Sequence, residues 1–279
     1  MQIAMIEDKI IGFDKLESVY LDRGFYFGDG VYEVVRSYDG KIFALDEHLE
    51  RFSRSLLAIG IERFDIGVIR ERVLKGFSES EISNAKIYFH MTRGSAVREH
   101  VSGAELQPNF FLTVTELDVE KEKEKKAEGI AVSSHPDWRW KRCDIKSLNL
   151  LANVLARADA AKKGCEEAIL VDDNGFITEG AGSAFFGVTG EKLLTAPLSA
   201  NILPSITRKY VIESGRKIGM EIVEESLTVE QVKEADELFI AVTTKDIVGV
   251  VKFDDKIIGG GKVGRYSSLL ADKFREFTR

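Results

Sequence analysis

The sequence is poor in the residues that make covalent staples and metal centres. It has two cysteines, Cys143 and Cys165, and four histidines in 279 residues. Two cysteines cannot form a disulfide framework, no CxxC spacing is present, and scattered histidines do not suggest a metal site. Long apolar runs are missing too, and no stretch approaches the ~18 residues of a membrane span. The opening MQIAMIEDKIIGFDK places acids and lysine before any apolar run, unlike a secretion signal. The expected location is a reducing cytoplasm. A basic excess is also lacking: 39 basic residues stand against 46 acidic ones, a formal charge of −7. That balance argues against nucleic acid or an anionic membrane as the main partner.

What is present suits an enzyme-sized globular chain. With 44% hydrophobic and 30% charged residues, it holds ample material for a core. The length fits one large domain or two modest ones.

The first half mixes short β-rich runs with helical periodicity. Residues 10–13, 30–38 and 41–45 read as strands, with Asp39-Gly40 as a hairpin turn. Asp46 is a candidate N-cap for a helix carrying His48, Leu49, Phe52, Leu56 and Ile59, ending at Gly60. A second helix is expected over 67–78, and strands over 85–93 and 109–116. Residues 118–129 are mostly charged and lack aromatics, which reads as a solvated linker or loop. The expected organisation is a small N-terminal α/β domain (1–117), an interdomain linker (118–129) and a large C-terminal cofactor-binding domain (130–279). In the second half, strands are expected at 130–134, 167–171, 177 onward, 184–188, 192–195 and 237–242. Helices are expected over 147–163, after Pro204-Ser205, and over 267–277.

Several residues carry candidate chemistry. Lys146 lies just before the expected long helix. A lysine amine turned into a cleft is a nucleophile toward an aldehyde when desolvation favours its neutral form. Glu179 lies in Thr178-Glu179-Gly180-Ala181-Gly182, where a carboxylate facing a pyridinium nitrogen would hold it protonated. An anion site is offered by Ser205-Ile206-Thr207 at a helix start, by the hydroxyls and amides of Thr243-Thr244, and by the forked guanidinium of Arg51. Taken singly, each of these has an ordinary structural explanation: a surface lysine, a turn acid, a helix cap, a strand-end turn.

Their joint order resembles a known family. The pieces RGFYFGDGVYE (23–33), EHLER (47–51), Thr92-Arg93-Gly94, RCDIKSLNLL (142–151), Thr178-Glu179-Gly180, Ile206-Thr207-Arg208, DELF (236–239), Thr243-Thr244 and GKVG (261–264) follow one another along the chain. This resembles the fold-type IV pyridoxal-phosphate enzymes, most closely the bacterial D-amino-acid aminotransferases, and covers nearly the whole chain. The resemblance implies an α+β / α/β two-domain fold, pyridoxal 5'-phosphate as cofactor and a cytoplasmic homodimer. It implies that Lys146 carries the cofactor and moves the substrate proton, and that Glu179 pairs with the ring nitrogen. Arg51, Ile206, Thr207 and Thr243 would bind phosphate, with Thr244 beside them.

The stretch Thr92–His100 resembles the segment that holds an Arg-x-His pair in those enzymes. Arg98 and His100 would then reach into the partner subunit's site and, with Tyr32, grip the substrate carboxylate. The implied reaction moves an amino group from a D-amino acid, such as D-alanine or D-glutamate, to 2-oxoglutarate or pyruvate. The same scaffold would equally serve a branched-chain L-amino-acid transaminase, or a lyase acting on an aminodeoxychorismate-like substrate. The chain departs from the family pattern after Glu179-Gly180. Ala181-Gly182-Ser183-Ala184 stands where serines and an asparagine are expected, so the hydrogen bonds of those side chains are lost.

Overall fold

The computed structural model describes residues 2–101, 105–199 and 201–279. A hairpin of β1 (Ile3–Ile6) and β2 (Lys9–Gly12) precedes the short helix α1 (Arg23–Phe27). Then come β3 (Gly30–Tyr38), β4 (Lys41–Ile42), helices α2 (Leu45–Ala58) and α3 (Ile66–Ser80), β5 (Ala85–Thr92) and β6 (Asn109–Glu116). The strands form one antiparallel sheet in the order β4-β3-β5-β6.

In β3 the pleat separates two jobs. Val31, Glu33, Val35 and Ser37 point one way and are fully buried; Tyr32, Val34, Arg36 and Tyr38 point the other. Val31 and Val35 pack with Ile87 and Phe89 under Leu49, Phe52 and Leu56 of α2. That buried layer leaves the opposite face of the sheet to line a pocket.

Helix α4 (Val119–Glu128) follows, where a solvated loop is expected from the charge run. Asp118 caps it through the Lys121 N–H at 3.0 Å, and Lys123 pairs with Glu120 at 2.7 Å. Such i,i+3 pairs stabilise a polar helix that buries none of its residues.

The second sheet takes its strands from β7 (Ile130–Pro136), β8 (Glu167–Val171), β9 (Phe176–Gly180), β10 (Ala184–Thr189), β11 (Lys192–Thr195), β12 (Glu221–Glu224), β13 (Leu227–Thr228), β14 (Glu237–Val242), β15 (Asp246–Phe253) and β16 (Lys256–Ile257). Its order is β12-β11-β10-β14-β15-β7-β8-β9-β13, with β16 added on β15. Helices α5 (Leu151–Lys162), α6 (Ile206–Lys217), α7 (Val229–Lys233) and α8 (Arg265–Arg275) cover it. Phe186, Leu193, Val211, Phe239, Leu270 and Phe274 form one buried layer between this sheet and α6 and α8.

Some expected boundaries move. Helix α5 begins at Leu151 rather than 147, because Ser147 bridges to Val31 and the Leu148 N–H donates to the Gly30 carbonyl at 3.0 Å. Laid along the start of β3, this stretch is not helical. Asp46 is not the cap of α2; Ala44, at φ 52°, occupies that position and Asp46 lies in the first turn. The expected strand over 41–45 is the two-residue β4. Among the described residues, no helix is long and apolar enough to cross a membrane.

Candidate active site

A cavity opens between the pocket face of β3 and β5 and the ends of β9 and β14. Tyr32, Arg51, Lys146, Glu179, Thr243 and Thr244 all line it. Candidates spread over more than 200 residues of sequence are thus brought to one place.

Lys146 is positioned through its backbone. Its N–H donates to Ser55 Oγ at 3.2 Å, and its carbonyl accepts the Tyr32 N–H at 2.9 Å. The segment 146–148 therefore runs along the start of β3. Gly30 makes this approach possible: a Cβ there would lie 2.6 Å from the Met91 carbonyl oxygen and 2.8 Å from Leu148 Cδ1. Lys146 Nζ sits 4.3 Å from the centre of the Tyr32 ring.

Glu179 ends up on β9 itself, one residue before its end, rather than in the following turn. Its Oε1 accepts from Arg139 Nη1 at 2.5 Å and from the Leu203 N–H at 3.2 Å. No described residue donates to Oε2, which leaves one oxygen for a ligand in the pocket. Burial pushes the carboxyl above its usual range and the Arg139 charge opposes this. Arg139 also pairs with Asp137 at 2.7 Å and reaches the Asn201 carbonyl at 3.0 Å.

The anion cup has three sources. Ser205 caps α6 by accepting the Arg208 N–H at 3.2 Å. The N–H groups of Ile206 and Thr207, in the first turn, have no hydrogen-bond partner among the described residues, as expected at a helix start. Thr243 and Thr244 lie in the turn between β14 and β15. Arg51, on α2, is held by Glu33 at 2.7 and 2.8 Å and by the Pro204 carbonyl at 3.0 Å. A guanidinium has five N–H groups; with Nη2 also 3.5 Å from His48 Nδ1, the second Nη1–H remains for an anion. His48 Nδ1 completes the group 2.7 Å from Glu33.

Arg98 and His100 are not part of their own chain's cavity. Both are exposed and gather around α1: the Arg98 guanidinium lies 5.1 Å from the Phe27 ring centre and the His100 ring 5.5 Å. Arg23 fixes the segment by donating to the Glu99 and His100 carbonyls at 2.6 and 3.1 Å.

The residues behind the site escape a reading of the sequence. Glu33 and His48 lie within matched pieces, yet no role attaches to them there. A signal exists: His48 and Arg51 sit three residues apart on the apolar stripe of α2, where a charged side chain needs a partner. Arg139 and Asp137 carry no comparable signal. Ser183, in the departing stretch, is engaged with Glu167 at 3.1 Å, and Ala181 holds Asn153 through its carbonyl at 2.8 Å.

Ile206 and Thr207 do not themselves line the cavity, which Ser205 reaches just before them. An amine, a carboxylate with one open oxygen, and Arg51, Ser205, Thr243 and Thr244 on one cavity define a site for a phosphorylated pyridine aldehyde and the amino-group chemistry it supports. The chain matches the family described as amino-transferase class IV over residues 30–253, and it belongs to that family. It is a pyridoxal-phosphate-dependent aminotransferase of fold type IV. It is 36% identical over 282 residues to a D-alanine aminotransferase of Staphylococcus haemolyticus, covering 99% of this chain and 98% of that protein. A Bacillus licheniformis D-alanine aminotransferase is 36% identical over 87% of this chain and 85% of its own. Among solved structures, the Escherichia coli branched-chain amino acid aminotransferase superposes with a TM-score of 0.86 at 23% identity, covering 96% of this chain and 92% of that one. At that identity the likeness speaks to fold alone.

Proposed function

We propose that this aminotransferase moves the amino group of a D-amino acid, such as D-alanine or D-glutamate, to 2-oxoglutarate or pyruvate. The observation that carries the reading is the meeting of Lys146, Glu179 and Arg51 on one cavity. The D-preference draws on the two D-alanine aminotransferases matched over most of their length.

On this reading Arg51, the N–H groups of Ile206 and Thr207, and Thr243 hold the cofactor phosphate, with Thr244 adjacent. Glu179 Oε2 holds the ring nitrogen protonated. When bound, the cofactor supplies a sink for the negative charge that develops at the substrate Cα. Lys146 Nζ takes the Cα proton, and its fixed backbone keeps the amine over the pocket. The Tyr32 hydroxyl holds the substrate carboxylate from within the chain.

Arg98 and His100 complete the grip from a second copy, in a two-fold homodimer with two shared sites. Leu151, Val154 and Leu155 support that assembly. They form an i, i+3, i+4 stripe on α5 that is 70%, 59% and 49% exposed, an apolar face that a second copy would cover. Residues 118–129 divide a small N-terminal domain from the large cofactor-binding domain, with α4 as the connection. The two free cysteines fit a reducing cytoplasm.

The test mixes purified holoenzyme separately with D-alanine and L-leucine and follows the cofactor's visible absorbance. Loss of absorbance with D-alanine is expected. Loss with L-leucine alone would instead favour a branched-chain L-amino-acid enzyme.

A further inference from the structure

The pocket holds a cation that the chemistry above does not use. Lys86, half-buried on β5, lines the same cavity as Lys146. Alternation along β5 puts Lys86 and Tyr88 on the face shared with Tyr32, Val34 and Arg36 of β3, and the register pairs Lys86 directly with Arg36.

Like charges facing each other across a strand pair are destabilising. Arg36 is compensated: it meets Glu122 at 2.9 Å and Asp246 at 3.4 Å, and donates to the Thr244 carbonyl at 2.6 Å. Lys126 takes the other Asp246 oxygen at 2.7 Å. Two cations and two carboxylates thus balance at this junction. Lys86 is left over, with no hydrogen bond or ion pair to any described residue. Of the other pocket cations, Arg51 is matched by Glu33, and Arg139 by Asp137 and Glu179. Lys146 is the reacting amine. Among the described residues, Lys86 is therefore the pocket cation left without a charge partner or a chemical role.

We infer that Lys86 is a specificity-determining residue of this site, pairing with the distal carboxylate of a dicarboxylic substrate and so setting its advantage over a monocarboxylic one. This rests on the aminotransferase reading above and selects within it. The geometry suits the role. Lys86 stands on the β5 wall two residues from Tyr88, roughly 7 Å along the strand, and Tyr88 packs on Tyr32 at 5.8 Å between ring centres. A substrate held by its α-carboxylate near Tyr32, with its Cα at Lys146, would extend its side chain along this wall toward Lys86. The anion cup for the cofactor is built from α2, α6 and the β14–β15 turn, without a contribution from β5.

The test compares holoenzyme with Lys86→Gln and Lys86→Arg variants. Calorimetry with glutarate, a dicarboxylate that cannot react, reads the site directly, and butyrate is the monocarboxylate control. Glutarate is expected to bind wild type and Lys86→Arg more tightly than butyrate does, and to lose about ten-fold or more of its affinity in Lys86→Gln. In steady state, the KM for 2-oxoglutarate rises relative to that for pyruvate in Lys86→Gln alone. Glutarate binding equally well to Lys86→Gln would overturn the inference. So would a loss of cofactor affinity in that variant without discrimination between acceptors, which would place Lys86 in the phosphate cup. If wild type exchanges no amino group between D-alanine and either acceptor, the functional reading fails while the glutarate titration still judges Lys86.

Discussion

Arg51 and Glu33 meet as a two-point pair, Nε to Oε1 at 2.7 Å and Nη2 to Oε2 at 2.8 Å, with Glu33 wholly removed from solvent. The pairing fixes the plane of the guanidinium on a residue that lines the pocket. Glu33 comes from the buried face of β3 and Arg51 from α2, so the sheet and its covering helix together aim the cation. Replacing Glu33 by Gln leaves Arg51 buried without its counter-charge. Loss of one partner of a buried ion pair costs roughly 3–5 kcal/mol. The expected outcome is a lower denaturant midpoint and a weaker cofactor affinity, read by urea unfolding and by fluorescence titration. A midpoint equal to wild type would refute the arrangement.

Acid should unfold the protein through a few identifiable groups. Burial alone would raise Glu33, Asp29 and Asp137. Arg51 with His48, Arg93 with Arg23, and Arg139 with Thr178, respectively, outweigh it and hold all three below the usual carboxylate range. Unfolded carboxyls titrate near ~4, so the unfolded chain takes up protons first. The stabilisation is fully present above that pH and is lost as pH falls toward the folded values. His48 adds to the trend at higher pH. Burial pushes its imidazole below ~6.5, so protonation of the unfolded chain begins to draw against the fold there. Stability measured from pH 7 to pH 3 should decline in that order, and the Glu33→Gln variant should show a shallower decline below pH 5.

Removing the amine of Lys146 should abolish turnover while the fold persists, since its side chain is only half-buried. Loss of a general base alone lowers rates by about 10²–10⁴-fold. The Lys146→Ala protein should also lack the covalent cofactor adduct that borohydride traps in wild type, visible by mass spectrometry. A trapped adduct at another lysine would move the assignment.

If Glu179 faces the cofactor ring nitrogen, Arg139, bonded to its other oxygen, would act on the cofactor only through Glu179, as a positioning residue. Burial raises the Glu179 carboxyl and Arg139 holds it down. In Arg139→Gln the carboxyl rises further, so a higher pH is needed before it ionises and can hold a protonated ring nitrogen. Cofactor affinity measured against pH should therefore shift its profile upward. A uniform loss at every pH would indicate structural damage instead.

Arg98 is exposed and outside its own chain's cavity. If the partner's site uses it, Arg98→Ala should raise the KM for D-alanine by about ten-fold or more and leave the cofactor spectrum and the fold intact. Sedimentation should show a dimer in both proteins. An active monomer would remove the basis for a shared site.

Much of the fold was legible because local chemistry announces it. The alternation in 30–38, the helical stripe from His48 to Leu56 and the Pro204-Ser205 start mark elements close to those observed. The linker or loop expected at 118–129 is a helix: Asp118 caps it, Lys123 pairs with Glu120, and Glu122 and Lys126 are held by Arg36 and Asp246 from distant strands, which composition alone does not resolve. Helix α5 starts late because Ser147 and Leu148 are laid against the start of β3, a partner more than 100 residues away. No local rule can foresee that.

The sequence by itself singled out Lys146, Glu179, Arg51 and the paired threonines as candidates, by their order and type, and the fold brings them to one cavity. Only the tertiary structure decided how each is held and charged. Glu33 under Arg51, Arg139 beside Glu179 and Lys86 on the pocket wall all depend on the register of strands and the packing of helices from distant segments. Burial and proximity set the strength of a charge, and both are properties of the folded chain.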